Sequence, residues 1–509
     1  MRPARHHDRF PDMPRPAAAA LLGLAVCGKS HPWPFSTQAM PQKAKVFGGR
    51  RSPHPAAADV FRSLLTAVLA IHASGAAAAD NALPPRTGRL ELRSGSSPQV
   101  AVVSLRSDGS TWRSTDGLMH VAADSLLCWG RCPAAVIGPS LRLKDGSIVA
   151  GDLVAWNVDE VVVESPLLGR VRLPLASVEG WQASAASSGS VPAGLAEPWL
   201  HIRLTNGDIL RAHSVEIAAG SAVVRVAISS DPGFQEPAKS IAIPLHRVQA
   251  ITAPAAPPGS LDEPRAHTVA IVGLQDGSRL TVESLQPAAD PQAASLDSPS
   301  DFVLRPTALI HQPDASIRCP QNAVTGMLAT GEHLMPVAWM MPADAEQTPQ
   351  FGPAWPITTR TTLTGQPLAA RSRPVFTGLG LHATARVAYQ LPAEFAAEGL
   401  LAAVAVDDSA GQGGSVIIRI RAGASRQTAR TVFESGILRG GEPPLEIAIT
   451  LDQARWLELV VDPTDDGDVL DRTIWLEPRL LRHQTSRTVQ RGPSPAASDA
   501  SPETSPAPH

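Results

Sequence analysis

The stretch LRLKDGSIVAGDLV, residues 141–154, decides the architecture of the middle third of the chain. Apolar and polar residues alternate on both sides of Asp145-Gly146, the pattern of two short strands with one buried face joined by a tight turn. Three other stretches align with it: VVSLRSDGSTW around Asp108-Gly109, IRLTNGDILRAHSV around Asn206-Gly207, and VGLQDGSRLTVESL around Asp276-Gly277. These dipeptides predict type I′ hairpins, because both central residues of that turn need positive φ, which Gly and Asn tolerate. In the two clearest units a third strand follows, EVVVES at 160–165 and AVVRVAI at 222–228. The closing strands VRLPLASVEGW (171–181) and IAIPLHRVQAI (241–251) then share an apolar-Pro-Leu-x-x-Val pattern. Four or five short strands per unit predict small, strongly bent β-barrels of the SH3-like or Sm-like class. Their expected limits are 87–182, 198–252 and 266–330, the last interrupted by a Pro-, Asp- and Ser-rich loop at 286–301.

A chain of 509 residues exceeds one core, since single cores stop growing near roughly 250–300 residues, so two or three domains are expected. The 48 Pro and 39 Gly favour short strands and turns over long helices. A formal net charge of −3 leaves no basic excess for a phosphate backbone, and no nucleic-acid partner is expected. Four Cys are too few for a disulfide scaffold, and Cys128 and Cys132 lack the spacing of a redox or zinc pair. They are expected as buried thiols or one small local disulfide. FRSLLTAVLAIHASGAAAAD (61–80) has a short apolar core and a small-residue run, the pattern of an export signal cleaved after Ala79. That core is shorter than the ~20 apolar residues of a membrane span, so no stable span is expected. The chain is expected to be exported, to the periplasm or beyond the cell, with residues 1–80 an extension and signal. Lys43, Lys45, Arg50 and Arg51 make Met40 the expected start; an alternative lipid-attachment signal at 17–28 with Cys27 suits less well, because Val26 stands where a small residue is wanted. Residues 484–509 are rich in Pro, Ser and Ala and are expected to be disordered.

In the last third, SVIIRIRAG (415–423), LEIAITL (445–451) and RWLELVVD (455–462) are β-rich and partly alternating, which suits antiparallel sheets with one buried face. PAEFAAEGLLAAVAV (392–406) reads as a helix by composition alone. Three ordered blocks carry a resemblance: WPITTRTTLTGQPLAARSRPVFTGLGLHA (355–383), with its Gly-x-Pro-Leu turn and Gly-apolar-Gly-x-His-Ala signature; residues 387–423, where a strand ends in paired Asp before a Gly-rich hairpin; and residues 434–480, with Arg-Gly-Gly-x-Pro-Pro and Asp-x-x-Asp-x-x-x-Trp features. Together they resemble the NPCBM family, carbohydrate-binding modules associated with glycoside hydrolase family 98, over about 333–483. Leu381 before the His and the helix-like 395–399 depart from the family pattern. The resemblance implies an all-β chain ending in a jelly-roll β-sandwich, with 401–406 as a strand.

Candidate ligand-binding residues follow. His382, after Gly378-Leu379-Gly380, can offer an imidazole to a sugar hydroxyl or serve as a buried, hydrogen-bonded strand residue. Asp408, beside Asp407 at a strand end, can accept from vicinal hydroxyls, join a hard cation, or cap the turn. Arg439 can donate to a ligand or pair with the acidic loop. Trp475 and Trp456 are the aromatic candidates in a chain with only 4% aromatics, Trp456 with core packing as its default. Asp466, Asp468 and Asp471, with Asp462 and Asp465, can hold calcium in a structural role, although their spacing is not that of an EF-hand loop. No catalytic residues are assigned: Asp407 and Asp408 are adjacent on a strand and point to opposite faces, unlike the facing carboxyl pair of a glycosidase. The expected function is an exported, non-catalytic protein that binds a glycan or polysaccharide through its C-terminal sandwich. The alternative is a structural β-protein whose partners are envelope proteins.

Overall fold

The computed structural model describes residues 86–184, 199–217, 223–228, 239–254, 267–288, 301–309 and 316–482. The export signal, the alternative signal and the C-terminal tail lie outside them. The chain is all-β, as expected, with only short 3-10 turns between strands, and no helix among the described residues is long and apolar enough to cross a membrane.

Four copies of one five-strand unit lie between Gly88 and Ala329, the second strand being broken in two in the second unit (Ile148–Ala150 and Asp152–Trp156) and in the third (Ile209–Ala212 and Ser214–Ile217) and counted as one. In each, the fifth strand pairs antiparallel with the first: Leu126–Gly130 with Gly88–Leu92, Val178–Gln182 with Ser140–Leu143, Val248–Thr252 with Leu200–Leu204, and Val324–Ala329 with Ala270–Leu274. A 3-10 turn delivers every fifth strand, and it follows a proline in the second and third units, where the apolar-Pro-Leu-x-x-Val pattern was read, and also in the fourth, where Gln321 replaces the Leu. The hairpin is locked to that turn in the same way each time: the backbone N–H groups of Arg93, Lys144, Thr205 and Gln275 each donate to the last carbonyl of the 3-10 turn, at 2.9 Å.

The hairpin turns are not type I′. Gly146 N–H donates to Leu143 O at 3.0 Å and Leu143 N–H to Ser147 O at 2.9 Å, and the same pair of bonds recurs at Leu204 and Leu274. This is the three-residue loop, a type I turn closed by a glycine at positive φ. Only the glycine leaves the ordinary region, with φ of 103° at Gly146, because Asp145 Oδ1 accepts from Ser147 N–H at 2.8 Å and holds the aspartate within the turn. The first unit follows the rule at Leu92 and Gly95, where Ser94-Gly95 replaces Asp-Gly. Asp108-Gly109 instead joins Gln99–Arg106 to Gly109–Ser114, the second and third strands, so matching by dipeptide misplaces this unit by one strand.

The units are not separate barrels. Fifth strand pairs with fifth strand, Val178–Gln182 with Val248–Thr252 and Val324–Ala329 with Leu126–Gly130, so sixteen strands form one sheet over a shared apolar core. Glycine permits this approach: a Cβ on Gly180 would lie 2.5 Å from Ile251 O. The second and fourth units also share a buried polar cluster. Asp145 Oδ2 accepts from the hydroxyls of Thr281 and Thr307, and Ser278 Oγ accepts from Ala150 N–H at 2.9 Å. Cys128, Cys132 and Cys319 are free thiols, and burial pushes Cys132 and Cys319 up to about 12.

The C-terminal residues form a β-sandwich. One sheet runs Thr358–Thr359, Gly378–His382, Arg472–Arg482, Ala397–Val406, Leu445–Thr450, with Leu334–Pro336 also on Arg472–Arg482; the other runs Asp344–Gln347, Ala385–Gln390, Trp456–Pro463, Ser415–Gly423, Arg430–Arg439. Val387, Tyr389, Val404, Ile418, Ile420, Leu457, Leu459 and Trp475 fill the space between them. The helix-like stretch is a strand, Ala397–Val406, because its alternate apolar residues enter that core, and helical propensity yields to packing. Trp456 packs with Ala388 and Ala429, and its Nε1 donates to buried Glu458 at 2.9 Å. The sandwich rests directly on the array: Arg479 Nη1 donates to Leu127 O at 3.0 Å, Arg279 Nη1 to Val375 O at 2.7 Å, and Phe376 packs on Ile271 and Leu328.

The Asp145 cluster separates a turn role from a packing role. Asp145→Ala is expected to lower the stability of the full chain by about 2–3 kcal/mol, because it strips buried hydroxyls of their acceptor. Asn206→Ala, at the equivalent exposed turn, is expected to cost about 0.5–1 kcal/mol. Denaturant titration of both variants measures the contrast.

Candidate functional site

Antiparallel register gathers five loops at one end of the sandwich. Gln347 pairs with Ala385, His382 with Arg472, and Ser415 with Arg439, so the segments after Gln347, His382, Val406, Arg439 and Pro463 all emerge together. Hydrogen bonds then tie these loops to one another. Thr348 N–H donates to Thr384 O at 3.0 Å, Ala383 N–H to Asp471 O at 3.1 Å, and Gly440 N–H to Gly414 O at 3.1 Å.

The aspartates are the acceptors that hold this end. Asp466 Oδ1 accepts from Ser415 Oγ at 2.7 Å and from Thr464 Oγ1. Asp468, buried, accepts from Gln350 N–H, and Asp471, also buried, accepts from Ser415 N–H at 2.7 Å. The two extremes of charge follow. Hydrogen bonds from Thr464 and Ser415, and the positive charge of Arg439, hold Asp466 below the usual carboxylate range. Burial first, and then the charges of Asp466 and Asp468, push Asp471 up to about 6 despite the Ser415 N–H. The three carboxylates turn to different donors of the chain itself, and among the described residues no three His, Cys, Asp or Glu side chains are arranged to hold a metal ion. The arrangement therefore does not fit the expected calcium.

His382 and Arg439 stand at this same end. The imidazole is buried, with Nδ1 on Ala383 O, and its carbonyl accepts from Gln347 Nε2 at 3.3 Å. Arg439 is exposed, its backbone N–H bound to Glu442 Oε2 at 3.1 Å. Asp408 shares the loop after Val406, but both carboxylate oxygens accept from backbone, Arg371 N–H and Ser372 N–H at 2.8 Å each, pinning two residues with φ of 50° and 60°. Asp407 accepts from Ser409 N–H at 2.8 Å as the cap of the next 3-10 turn. Trp475 is a correction. It is wholly buried between the sheets, opposite Leu379 and Val404, so it fills the core and presents no ring face to a ligand.

The exposed aromatics at this end are two that sequence reasoning passed over, Phe351 and Trp355, 65% and 36% exposed. The Trp355 ring lies parallel to that of His382, with centroids 6.1 Å apart and planes within 9°. Phe351 borders the acidic loop, since a Cβ on Gly467 would lie 3.4 Å from its ring. Their signal was local: FGPAWP (351–356) sets both rings among Gly and two Pro, a stiff loop that cannot fold them into a core. This end can therefore stack an apolar sugar face on an aromatic ring and offer polar groups at its rim.

The family described as the NPCBM/NEW2 domain matches residues 340–481. No curated protein matches the chain. Among solved structures it is similar to the CBM51 of Clostridium perfringens GH95 in complex with methyl-galactose, at 18% identity over 29% of this chain and 99% of that chain, with a TM-score of 0.25. It is also similar to the CBM51-2 and INT domains of Clostridium perfringens ZmpB in complex with GlcNAc, at 12% identity over 39% of this chain and 40% of that chain, with a TM-score of 0.26. The CBM22-1–CBM22-2 tandem domain of Paenibacillus barcinonensis Xyn10C shares 9% identity over 79% of this chain and 99% of that chain, with a TM-score of 0.21.

The raised Asp471 links this end to pH. Because its folded value of about 6 lies above the ordinary carboxylate value, its contribution to stability is fully present below about pH 4 and is lost as pH rises through 6. Asp471→Asn keeps an acceptor for Ser415 N–H and removes the charge. The variant is expected to gain on the parent between pH 4 and 7, on the order of 1–2 kcal/mol, and to hold a constant margin above pH 7. Thermal melting across that range measures it.

Proposed function

We propose, on the premise that residues 340–481 are an NPCBM/NEW2 domain, that the protein is exported and binds glycan without catalysis at the loop end of its sandwich. The carrying observation is the exposure of Phe351 and Trp355 beside a polar rim of Gln347, His382, Arg439 and Asp466. A pyranose stacks its C–H face on Trp355, whose other neighbour, the His382 ring, fixes the platform from below. Phe351 extends the apolar surface toward the acidic loop. Arg439 and Asp466 supply a donor and an acceptor for hydroxyls at the edge. Asp408 and Asp471 act behind them by holding the loops. Both oxygens of Asp408 and one of Asp407 are taken by backbone N–H groups, which favours recognition over carboxylate-assisted hydrolysis.

Binding of the full chain to a glycan array identifies the preferred sugar, with arms in calcium and in chelator to read any dependence on the metal. Trp355→Ala is expected to weaken the selected ligand by roughly thirtyfold, about 2 kcal/mol, and Phe351→Ala by less, with melting temperatures close to the parent. Unchanged affinity in both variants refutes the loop-end site, and no binding on any glycan refutes the function. Export is read separately: fractionation is expected to place the mature chain outside the cytoplasm, with an N-terminus at Asp80.

A further inference from the structure

A second site lies away from the loop end, on the sheet shared by the second and third units. Register sets one row of residues side by side across four strands: Arg142, Gly180, Thr252 and His201. Ser140, Gln182, Ala250 and Arg203 form the next row on the same face. At Gly180 the backbone of the next strand closes in, a Cβ there lying 2.5 Å from Ile251 O. The loop Pro356 to Gly365 of the sandwich roofs these rows, and a cavity of about 370 Å³ remains between roof and sheet. That volume falls in the range of small-molecule sites, roughly 300–1,000 Å³.

Two groups in the row are left unsatisfied. His201 is 6% exposed, and its buried Nε2 has no hydrogen-bond partner. Arg142 has a buried Nε without a partner, and among the described residues its guanidinium makes no ion pair. The lining carboxylate, Glu179, is engaged by Arg360 at 3.1 Å. A guanidinium held in a covered cavity beside a second guanidinium, with a shared carboxylate, is costly unless an anion completes the set. In agreement, burial and the charge of Arg360 both lower the Arg142 pKa against the opposing pull of Glu179.

We propose that this cavity binds a small polyhydroxylated carboxylic acid of hexuronate size. Its carboxylate pairs with Arg142 in the fork geometry that guanidinium favours. Its hydroxyls meet His201 Nε2, Gln182 and Thr252. The site uses neither Phe351 nor Trp355, although Pro356 of its roof follows them in the chain, and it stands or falls independently of the loop-end reading.

Calorimetric titration of the full chain with sodium glucuronate and galacturonate, with glucose and sodium sulfate as controls, tests the proposal. The expected result, read in Trp355→Ala so that pyranose binding at the loop end does not count, is binding of at least one uronate and at least tenfold weaker binding of glucose and sulfate. Arg142→Met is expected to raise the melting temperature of the ligand-free protein, since it removes a buried charge, and to weaken uronate at least tenfold. Should that variant not fold, His201→Phe is expected to weaken uronate without abolishing the fold. No uronate binding at millimolar concentration, equal binding of sulfate or glucose, or full affinity in the folded variants would overturn the proposal.

Discussion

The close pairing of fifth strand with fifth strand is the contact on which the rest of the molecule is built. Gly130, Gly180 and Gly326 stand where backbones meet too closely for a side chain, and each joins one five-strand unit to another. This pairing joins the first unit to the fourth and the second to the third, pairing of Ile148–Ala150 with Arg279–Pro287 links the two halves, and one apolar core runs through all four units. It also creates the surfaces used elsewhere. The carbonyl of Leu127, on the first unit's fifth strand, receives Arg479 of the sandwich, and the paired strands of the second and third units become the floor of the roofed cavity.

At the sandwich, carboxylates do most of their work inward. Asp408, Asp466, Asp468 and Asp471 accept from loop N–H and O–H groups, so five irregular segments are held at fixed spacing without regular strand pairing. This scaffolding leaves Phe351 and Trp355 outward on a Pro-stiffened loop. The price is a buried carboxylate, Asp471, whose proton is retained well above the usual range. The outer face of the second sheet follows the same logic, with buried Glu458 accepting from Trp456, Arg386 and Arg421.

Much of the fold was legible because local chemistry and tertiary packing agree. The apolar-Pro-Leu-x-x-Val closing signal maps onto 3-10 turns in the two units where it was read, and alternation gave the sandwich strands. The failures also have physical causes. Asp145-Gly146 and Asp108-Gly109 are the same dipeptide in different turns, and only long-range pairing tells them apart. At the site, the acidic loop, His382 and Arg439 were legible as candidates and do meet at one end. Trp475 was misread because a tryptophan near an acidic loop in sequence sits, by strand alternation, between the sheets.

What the amino-acid order determined alone is local: the strand periods and the glycines of the turns. These depend on neighbours within a few residues, where sterics and alternation act. Tertiary structure decided which strands pair, which tryptophan is covered, which carboxylates are spent on backbone, and that Arg142 and His201 flank one opening. Those outcomes depend on residues far apart in the chain, and on the competition for burial that only the completed packing resolves.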